Sequence, residues 1–525
     1  MLTRTWREQT WSDLDQSWDI IVIGGGITGA GIFNMAAQKG LKVALLEARD
    51  FAFGTSSRSS KLVHGGIRYL KNRQFDVVRE SVKEREQIIR ESGSLVDPLA
   101  FIFPSNEDNI RATRMMKLGV IVYDLFAPKW QHRTLNQTQV RDALPALDSD
   151  GLVGGVKYFD SRVDDSQLVL RVIMDGIRYG GSAINYAKVV DFCKSKNGMV
   201  EGILLQDETG TLSPTQKELR AKVVINATGP WSDQLRDKLN GDPKLRRLRG
   251  SHLIFSQEKI PLHTAVTMLH PRNNRALFAI PWEGRTIIGT TDLDHDLYED
   301  ETRITQSEVD YLLEAAHHAF PDFPVTEKDV ISTFSGLRPV INTNASTPSK
   351  ESRAHKVWEE DGLITIAGGK LTIFRVMSAD VLNFCRDRLP NRPKFNHRAP
   401  CFIHPKPLNQ HSVSNPDWIM MAGRLGKDVN AFFRNADPDN LQPIDPMPEF
   451  WAELAWAAEN EAVVHLDDLL LRRVRLGLLL PNAGLDHMDR IRQLVQKPLG
   501  WSDEKWEKEI QRYKDIWREN YYLPN

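Results

Sequence analysis

The stretch DIIVIGGGITGAGIFNMAAQKGLKVALLE, residues 19–47, decides how the rest of the chain is read. Its first six residues form a short apolar, β-branched run, the pattern of a strand buried on both faces. Gly24, Gly26 and Gly29 then fall in the spacing G-x-G-x-x-G, a helix runs to about Gln38, and KVALLE at 42–47 predicts a second strand. Gly24 permits a tight turn, Gly26 lets the backbone approach a pyrophosphate, and Gly29 lets the helix pack closely on the strand. The helix N-terminus offers N–H groups and the positive end of its dipole to phosphates. Glu47 closes the second strand, where a carboxylate accepts hydrogen bonds from ribose hydroxyls and repels the 2′-phosphate of NADP. Strand, turn, helix and acid together predict a dinucleotide-binding βαβ unit.

Outward from this unit, the composition is that of an ordinary soluble protein. The chain has 525 residues, 41% hydrophobic and 26% charged, a length compatible with two to four domains. Its 68 basic and 69 acidic residues balance to a formal charge of −1, so there is no global argument for binding nucleic acid. Cys193, Cys385 and Cys401 lie far apart without CxxC or metal-ligand spacing; reduced, buried thiols in a cytosolic setting are expected, and no metal site. The segment MLTRTWREQTWSDLD has no apolar core like a signal peptide's and is too acidic for a good transit peptide. The nearest approach to a membrane span is MMKLGVIVYDLF at 115–126. A dozen helical residues reach only about 18 Å against a hydrocarbon core of about 30 Å. The reading favoured for it is a buried helix; Arg111, Arg114 and Lys117 at its start keep an interfacial membrane contact as the alternative.

Farther along, 75–91 reads as an amphipathic helix. KYFD, AINYAKVVDF and GILLQDE read as strands around a helix near 166–179, and VVINATG at 223–229 as a buried strand ending in a turn. HLIFS, LFAIPW and TIIGTTDL suggest antiparallel strands between 252 and 293, and GLITIAGG at 362–369 a third apolar strand running into a helix. Proline clusters at 389–407 and 442–448 mark a boundary, beyond which the chain reads as helical from 451 to 480, with a last helix capped by Ser502.

The choice between NAD and FAD rests on segments far from the glycine turn. An NAD site is largely complete within its own domain, whereas a flavin is held along its whole length. Asn226-Ala-Thr228-Gly229-Pro230 is a strand-end turn able to abut the cofactor. Gly368-Gly369-Lys370-Leu371-Thr372 is a strand-to-helix turn whose helix N-terminus stabilises negative charge on a reduced flavin. With the N-terminal motif, these favour FAD.

The stretch GTSSRSSKLVHGGIRYL at 54–70 closely resembles the signature of FAD-dependent glycerol-3-phosphate dehydrogenases, of the D-amino-acid-oxidase-like flavoproteins. The similarity continues through NATGPW at 226, GSHLIF at 250, IPWEGRTIIGTTD at 280, SGLRPV at 335 and AGGKLT at 367, and LDDLLLRRVRLG at 466 resembles the family's helical C-terminal domain. The family commonly has threonine where Val474 stands, in a region expected to be remote from the chemistry. The resemblance implies a bacterial-type enzyme lacking the calcium-binding extension of mitochondrial relatives. Without the long insertion of the oxygen-using oxidases, it implies a quinone acceptor.

Oxidising a secondary alcohol with a flavin requires the C2 hydride to face N5, the hydroxyl proton to leave, and the substrate to be held in that geometry. A phosphate dianion calls for cations, arginine above all. By resemblance, Arg68, Arg338 and Lys370 line the substrate pocket, with a hydrogen bond from the Tyr69 phenol; Lys370 could equally contact the flavin. His252 is the preferred proton acceptor, since imidazole titrates near neutrality. His64, beside Gly66, is its competitor but could instead position the flavin, and Arg338 could stabilise a developing alkoxide. The hydroxyls of Thr55, Ser56, Ser57, Ser59 and Ser60, with Lys61, are expected to bind pyrophosphate and isoalloxazine oxygens.

The resulting expectation is a mixed α/β and α+β protein: a Rossmann-type FAD-binding domain, an antiparallel-sheet substrate domain and a C-terminal α-helical domain. The oxidoreductase module covers 17–398. Its FAD domain is assembled from 17–75, 150–240 and 335–395, its substrate domain from 76–149 and 241–334, and the helical domain covers 399–525. The implied reaction converts sn-glycerol 3-phosphate and quinone to dihydroxyacetone phosphate and quinol, on an enzyme attached peripherally to the inner face of a bacterial plasma membrane. The C-terminal helices are expected to stabilise the assembly or serve a homodimer. The alternatives are an oxygen-dependent oxidase, an amine or amino-acid oxidase of the same fold, and a non-catalytic flavin-binding redox sensor.

Overall fold

The computed structural model describes residues 2–67, 75–126, 130–296, 299, 301–345, 351, 354–405 and 415–524. Two sheets organise them, with a helical layer formed by the C-terminal residues.

The first sheet grows from the opening motif. Ser17–Ile23 pairs in parallel with Val43–Leu46 on one side and Gln216–Asn226 on the other. Leu363–Gly368 and Ser182–Ile184 extend the parallel set, and antiparallel His355–Glu360 closes one edge. Ile20, Ile21 and Val22 are fully buried, as a strand covered on both faces requires. The helix Ile27–Ala37 packs against Asp165–Arg178 and Phe374–Cys385. Close approach needs glycine at Gly31, where a Cβ would lie 2.4 Å from Ser378 Oγ, and at Gly176, where it would lie 2.6 Å from the Phe33 ring.

The second sheet is almost wholly antiparallel. Leu245–Ser256 lies between Arg285–Gly289 and Val330–Ile341, and Val96–Asn106 pairs along its length with Leu152–Val163. Among the described residues, its one parallel contact is Ala265–Leu269 on Val96–Asn106. By sheet membership, 152–163 and 330–341 run in this second sheet, so the boundaries expected at 150 and 335 cut across it. The physical reason is ladder length: Val96↔Val163 through Asn106↔Leu152 and Leu245↔Ile341 through Phe255↔Val330 are long pairings, and dividing either would strand its backbone hydrogen bonds.

Two helical expectations change. The segment 451–480 is not continuous: Trp451–Asn460 ends before Ala462 (φ 57°), and Arg475 (φ 61°) breaks the chain again before Leu476–Leu479. The Asp468 carboxylate accepts N–H bonds from Val464 and His465 and restarts the helix between these breaks. The helix Ile110–Phe126 is not buried either. Val120, Tyr123 and Asp124 face inward, but Met115, Leu118 and Leu125 are 59%, 65% and 66% exposed. No described helix is long and apolar enough to cross a membrane.

The C-terminal layer is locked to the first sheet by buried ion pairs. Asp50 receives Arg472 Nε at 2.5 Å and Arg473 Nη1 at 2.8 Å, while Arg475 Nη2 reaches Asp164 and Asp165 at 2.6 and 2.5 Å. The last helix, Asp503–Asn520, starts on Ser502, whose hydroxyl accepts the Lys505 N–H, and buries Trp506, Tyr513 and Trp517.

Candidate active site

A cavity of about 1560 Å³ opens at the C-terminal ends of the parallel strands and runs between the two sheets. That is the crevice where doubly wound sheets bind ligands, and its volume exceeds the roughly 300–1,000 Å³ of a site for one small molecule.

At one end the glycine turn behaves as its spacing predicts. Gly24 has φ +111°, and a Cβ on it would lie 2.6 Å from Ala227 O; a Cβ on Gly29 would lie 1.8 Å from Gly24 O. Both glycines are therefore dictated by packing, and Gly29 does not itself line the cavity. Gly26 does, and a Cβ there would meet only Ser56. The Ile27 N–H at the helix start donates to Ser56 Oγ at 2.9 Å. Glu47 accepts from Gly25 N at 2.6 Å and Arg49 N at 2.8 Å. Burial raises its pKa, and those two N–H bonds oppose the rise. A pyrophosphate-sized approach at Gly26 and an acid at the next strand end fit the adenosine half of FAD.

Thr55, Ser56, Ser59, Ser60, His64, Gly66, Thr228, Gly229, Gly369, Lys370, Leu371 and Thr372 all line the same cavity. The two distant turns thus return to the N-terminal unit, as a cofactor held along its length demands. Thr372 ties them together: its hydroxyl donates to His64 O at 3.0 Å and accepts the His64 N–H at 3.1 Å. Lys370 Nζ lies 3.2 Å from Gly65 O. Ser57 and Lys61, expected to bind cofactor oxygens, do not line the cavity. Lys61 is fully buried behind the wall, bonded to Ser57 O at 2.5 Å and Asp165 at 2.8 Å. Burial lowers its pKa to about 8, helped by Arg475 and opposed by Asp165. Val474, expected to be remote, adjoins Arg475, which shares Asp165 with Ser59 of the cavity wall.

The second sheet supplies the other wall. His252 pairs with Phe334 and Gly289, and Arg338 with Leu248, so Arg338 and His252 start roughly 13 Å apart on one face. Two glycines bring them together. A Cβ at Gly250 would lie 2.2 Å from Arg338 Nη2, so the guanidinium lies across that strand towards the histidine. A Cβ at Gly289 would lie 2.2 Å from His252 Cδ2, so the ring lies over it, stacked on Phe334 at 4.4 Å. Arg338 binds Asp292 Oδ1 and Thr290 Oγ1, each at 2.9 Å. His252 Nε2 is 2.9 Å from Ser60 Oγ. Burial, then the charges of Arg338 and Lys61, push its pKa well below the usual imidazole value, so the ring is neutral near pH 7. Arg68 and Tyr69 lie outside the described residues. Arg275, which the sequence reading passed over, lines this wall too; its only signal is a cation closing the turn RNNR between two strands.

A glycine turn for a dinucleotide, two returning segments, and a wall of cations around a neutral imidazole define a flavin-dependent redox fold. The model of FAD dependent oxidoreductases matches residues 19–371, and that of the C-terminal domain of alpha-glycerophosphate oxidase matches 407–506. Aerobic glycerol-3-phosphate dehydrogenase of Staphylococcus haemolyticus is 35% identical over 487 residues, 87% of each chain, and that of Staphylococcus saprophyticus is 33% identical over 536 residues, 96% of each. The glycerol-3-phosphate dehydrogenase of Bacillus halodurans, complexed with FAD, superposes with TM-score 0.78 at 27% identity, covering 99% of this chain and 98% of that one. L-alpha-glycerophosphate oxidase of Mycoplasma pneumoniae, at 18% identity and TM-score 0.57 over 73% of this chain and 98% of that one, shares the fold. The chain belongs to the FAD-dependent oxidoreductases and, within them, to the family of the aerobic glycerol-3-phosphate dehydrogenases. FAD is its cofactor.

Proposed function

We propose that this chain oxidises sn-glycerol 3-phosphate to dihydroxyacetone phosphate and passes the electrons to a membrane quinone. The observation that carries the reading is the meeting of Arg338, Lys370 and the neutral His252 in one cavity with the cofactor-lining turns. Bound FAD supplies the two-electron acceptor. Gly24, Gly26, Glu47, Ser56, Ser59, Ser60, Thr228, Gly229 and Thr372 hold it. Arg338 and Lys370, with Arg68 and Tyr69 by family resemblance, hold the phosphate and orient the carbinol carbon. A neutral imidazole can accept the hydroxyl proton at His252 Nε2 by relay, the Ser60 hydroxyl 2.9 Å away passing its own proton to the ring nitrogen and taking the substrate's in exchange. Arg338, already paired to Asp292, lowers the cost of negative charge on the carbinol oxygen.

The exposed stripe Met115, Leu118 and Leu125, with Arg111, Arg114 and Lys117 at the same helix, supports peripheral attachment to an anionic bilayer, where a quinone acceptor resides. The deciding experiment is an anaerobic titration of the holoenzyme. Glycerol 3-phosphate is expected to bleach the flavin absorbance stoichiometrically; an unbleached spectrum would overturn the reading. Stoichiometric peroxide in air with no gain from added quinone would replace the acceptor by oxygen.

A further inference from the structure

Arg275 closes a tight turn between Ala265–Leu269 and Ala276–Trp282, and the turn is rigid. His270 N donates to Arg275 O at 2.9 Å, Asn274 N donates back to His270 O at 2.9 Å, and Arg275 N donates to Asn273 Oδ1 at 3.1 Å. The His270 ring is buried and stacked on Tyr311 at 3.6 Å, which anchors the turn from below. From this platform the Arg275 side chain, 20% exposed, reaches the cavity wall and places Nη2 3.7 Å from Asp292 Oδ2. The opposite oxygen of the same carboxylate receives Arg338 at 2.9 Å.

Two guanidiniums side by side would repel, and a 3%-exposed carboxylate between them offsets that repulsion, holding Arg338 by a hydrogen bond and Arg275 by a longer ion pair. A guanidinium carries five N–H donors, so pairing with Asp292 and binding an anion are compatible on one residue. Arg275 and His252 line the same cavity, and Arg275 is among the cations whose field lowers the His252 pKa, after burial, Arg338 and Lys61.

We infer that Arg275 is a specificity-determining residue, a further guanidinium beside Arg338 in the cradle that takes the substrate's phosphate, with Asp292 as its positioning residue. The inference rests on the glycerol 3-phosphate reading. A dianion gripped by Arg275 beside Arg338 selects phosphorylated alcohols over carboxylates and uncharged polyols.

The test uses the anaerobic holoenzyme of the wild type, Arg275→Gln and Arg275→Lys, with inorganic phosphate as a competing probe. With the wild type bleached by glycerol 3-phosphate, Arg275→Gln is expected to raise the half-bleaching concentration on the order of 10–100-fold, the loss of a charge-assisted hydrogen bond. Competition by inorganic phosphate weakens in parallel, the limiting bleaching rate falls far less, and Arg275→Lys recovers part of the loss. An Arg275→Gln enzyme with wild-type half-bleaching concentration and phosphate competition overturns the role of Arg275 and leaves the substrate reading standing. A wild type that glycerol 3-phosphate does not bleach removes both. Should the Gln variant lose its flavin, Arg275→Lys alone decides: an unchanged half-bleaching concentration overturns the inference, and a raised one at full flavin content supports it.

Discussion

The Ser60 hydroxyl and His252 Nε2 lie 2.9 Å apart, and that contact joins the serine-rich cofactor loop to the antiparallel sheet. Ser60 comes from a loop that follows the first parallel strands, His252 from a strand almost two hundred residues later. The bond sets the imidazole's orientation while the ring remains neutral. His252→Gln is therefore expected to lower turnover by roughly 10²–10⁴-fold, with flavin content intact. Stopped-flow reduction of the flavin measures it, and a variant with near-normal reduction removes His252 from the mechanism.

The pH profile carries a second expectation. Burial, then Arg338 and Lys61, depress the His252 pKa well below its usual 6.5. A proton acceptor of depressed pKa stays neutral through pH 6.5, so the acid limb of the limiting reduction rate should lie below that value. Removing one depressing charge by Arg338→Met should move the limb upward, towards pH 6.5. A limb already at 6.5 in the wild type, or one that does not move, contradicts the assignment.

The glycine turn separates folding from cofactor binding. A Cβ on Gly29 collides with Gly24 O at 1.8 Å, whereas one on Gly26 meets only Ser56 Oγ, at 3.1 Å. Gly29→Ala should fail to accumulate as folded protein. Gly26→Ala should fold, melt within a few degrees of the wild-type apoprotein and retain little flavin. Absorbance near 450 nm against melting temperature distinguishes the two, and a Gly26→Ala enzyme with full flavin content would remove Gly26 from the pyrophosphate site.

Asp50 should matter to stability more than any surface acid. Burial alone would raise its carboxyl, but the guanidiniums of Arg473 and Arg472 outweigh burial and hold the pKa at about 2. Asp50→Asn leaves the buried Arg473 without its hydrogen-bonded carboxylate and Arg472 with only Asp467 and Asp468, and should cost about 3–5 kcal/mol in denaturant unfolding. For a depressed carboxylate the stabilisation is complete above the unfolded value near 3.8 and is lost as pH falls from there to about 2. The wild type should therefore lose stability steeply in that window, and the variant less so.

The outward face of Ile110–Phe126 can be tested apart from the chemistry. Replacing Ile110 and Leu125, exposed residues of this helix that do not line the cavity, with glutamate should weaken sedimentation with anionic vesicles by on the order of tenfold or more, since each buried CH₂ is worth about 0.8 kcal/mol. Anaerobic bleaching of the flavin should persist. Equal sedimentation of the double variant and the wild type would show that this helix does not dock on the bilayer.

Much of this is legible in the sequence alone. Gly24, Gly26, Gly29 and Glu47 declare themselves because a pyrophosphate site is local: strand, turn and helix are contiguous, and the spacing is the geometry. The turns at 226 and 368 were legible as strand ends. Lys61 was not, because its residue type suits an anion site equally well, and only the buried Asp165 beside it shows where the ammonium points. The helix at 110–126 misled for a related reason. An apolar sequence tells that a face avoids water, not whether protein or another apolar phase covers it.

What the sequence by itself determined is the class: a βαβ dinucleotide unit, FAD as its cofactor, and membership of a family carried by motifs from 54 to 477. What only the tertiary structure decided is the site's second wall. Arg338 and His252 sit on neighbouring strands roughly 13 Å apart by register, and they meet because Gly250 and Gly289 leave room for a guanidinium and a ring to lie flat. Arg275 joins them through one carboxylate, Asp292. Such convergence depends on where long side chains turn and which neighbours lack a Cβ, and these are properties of packing between strands rather than of spacing along the chain.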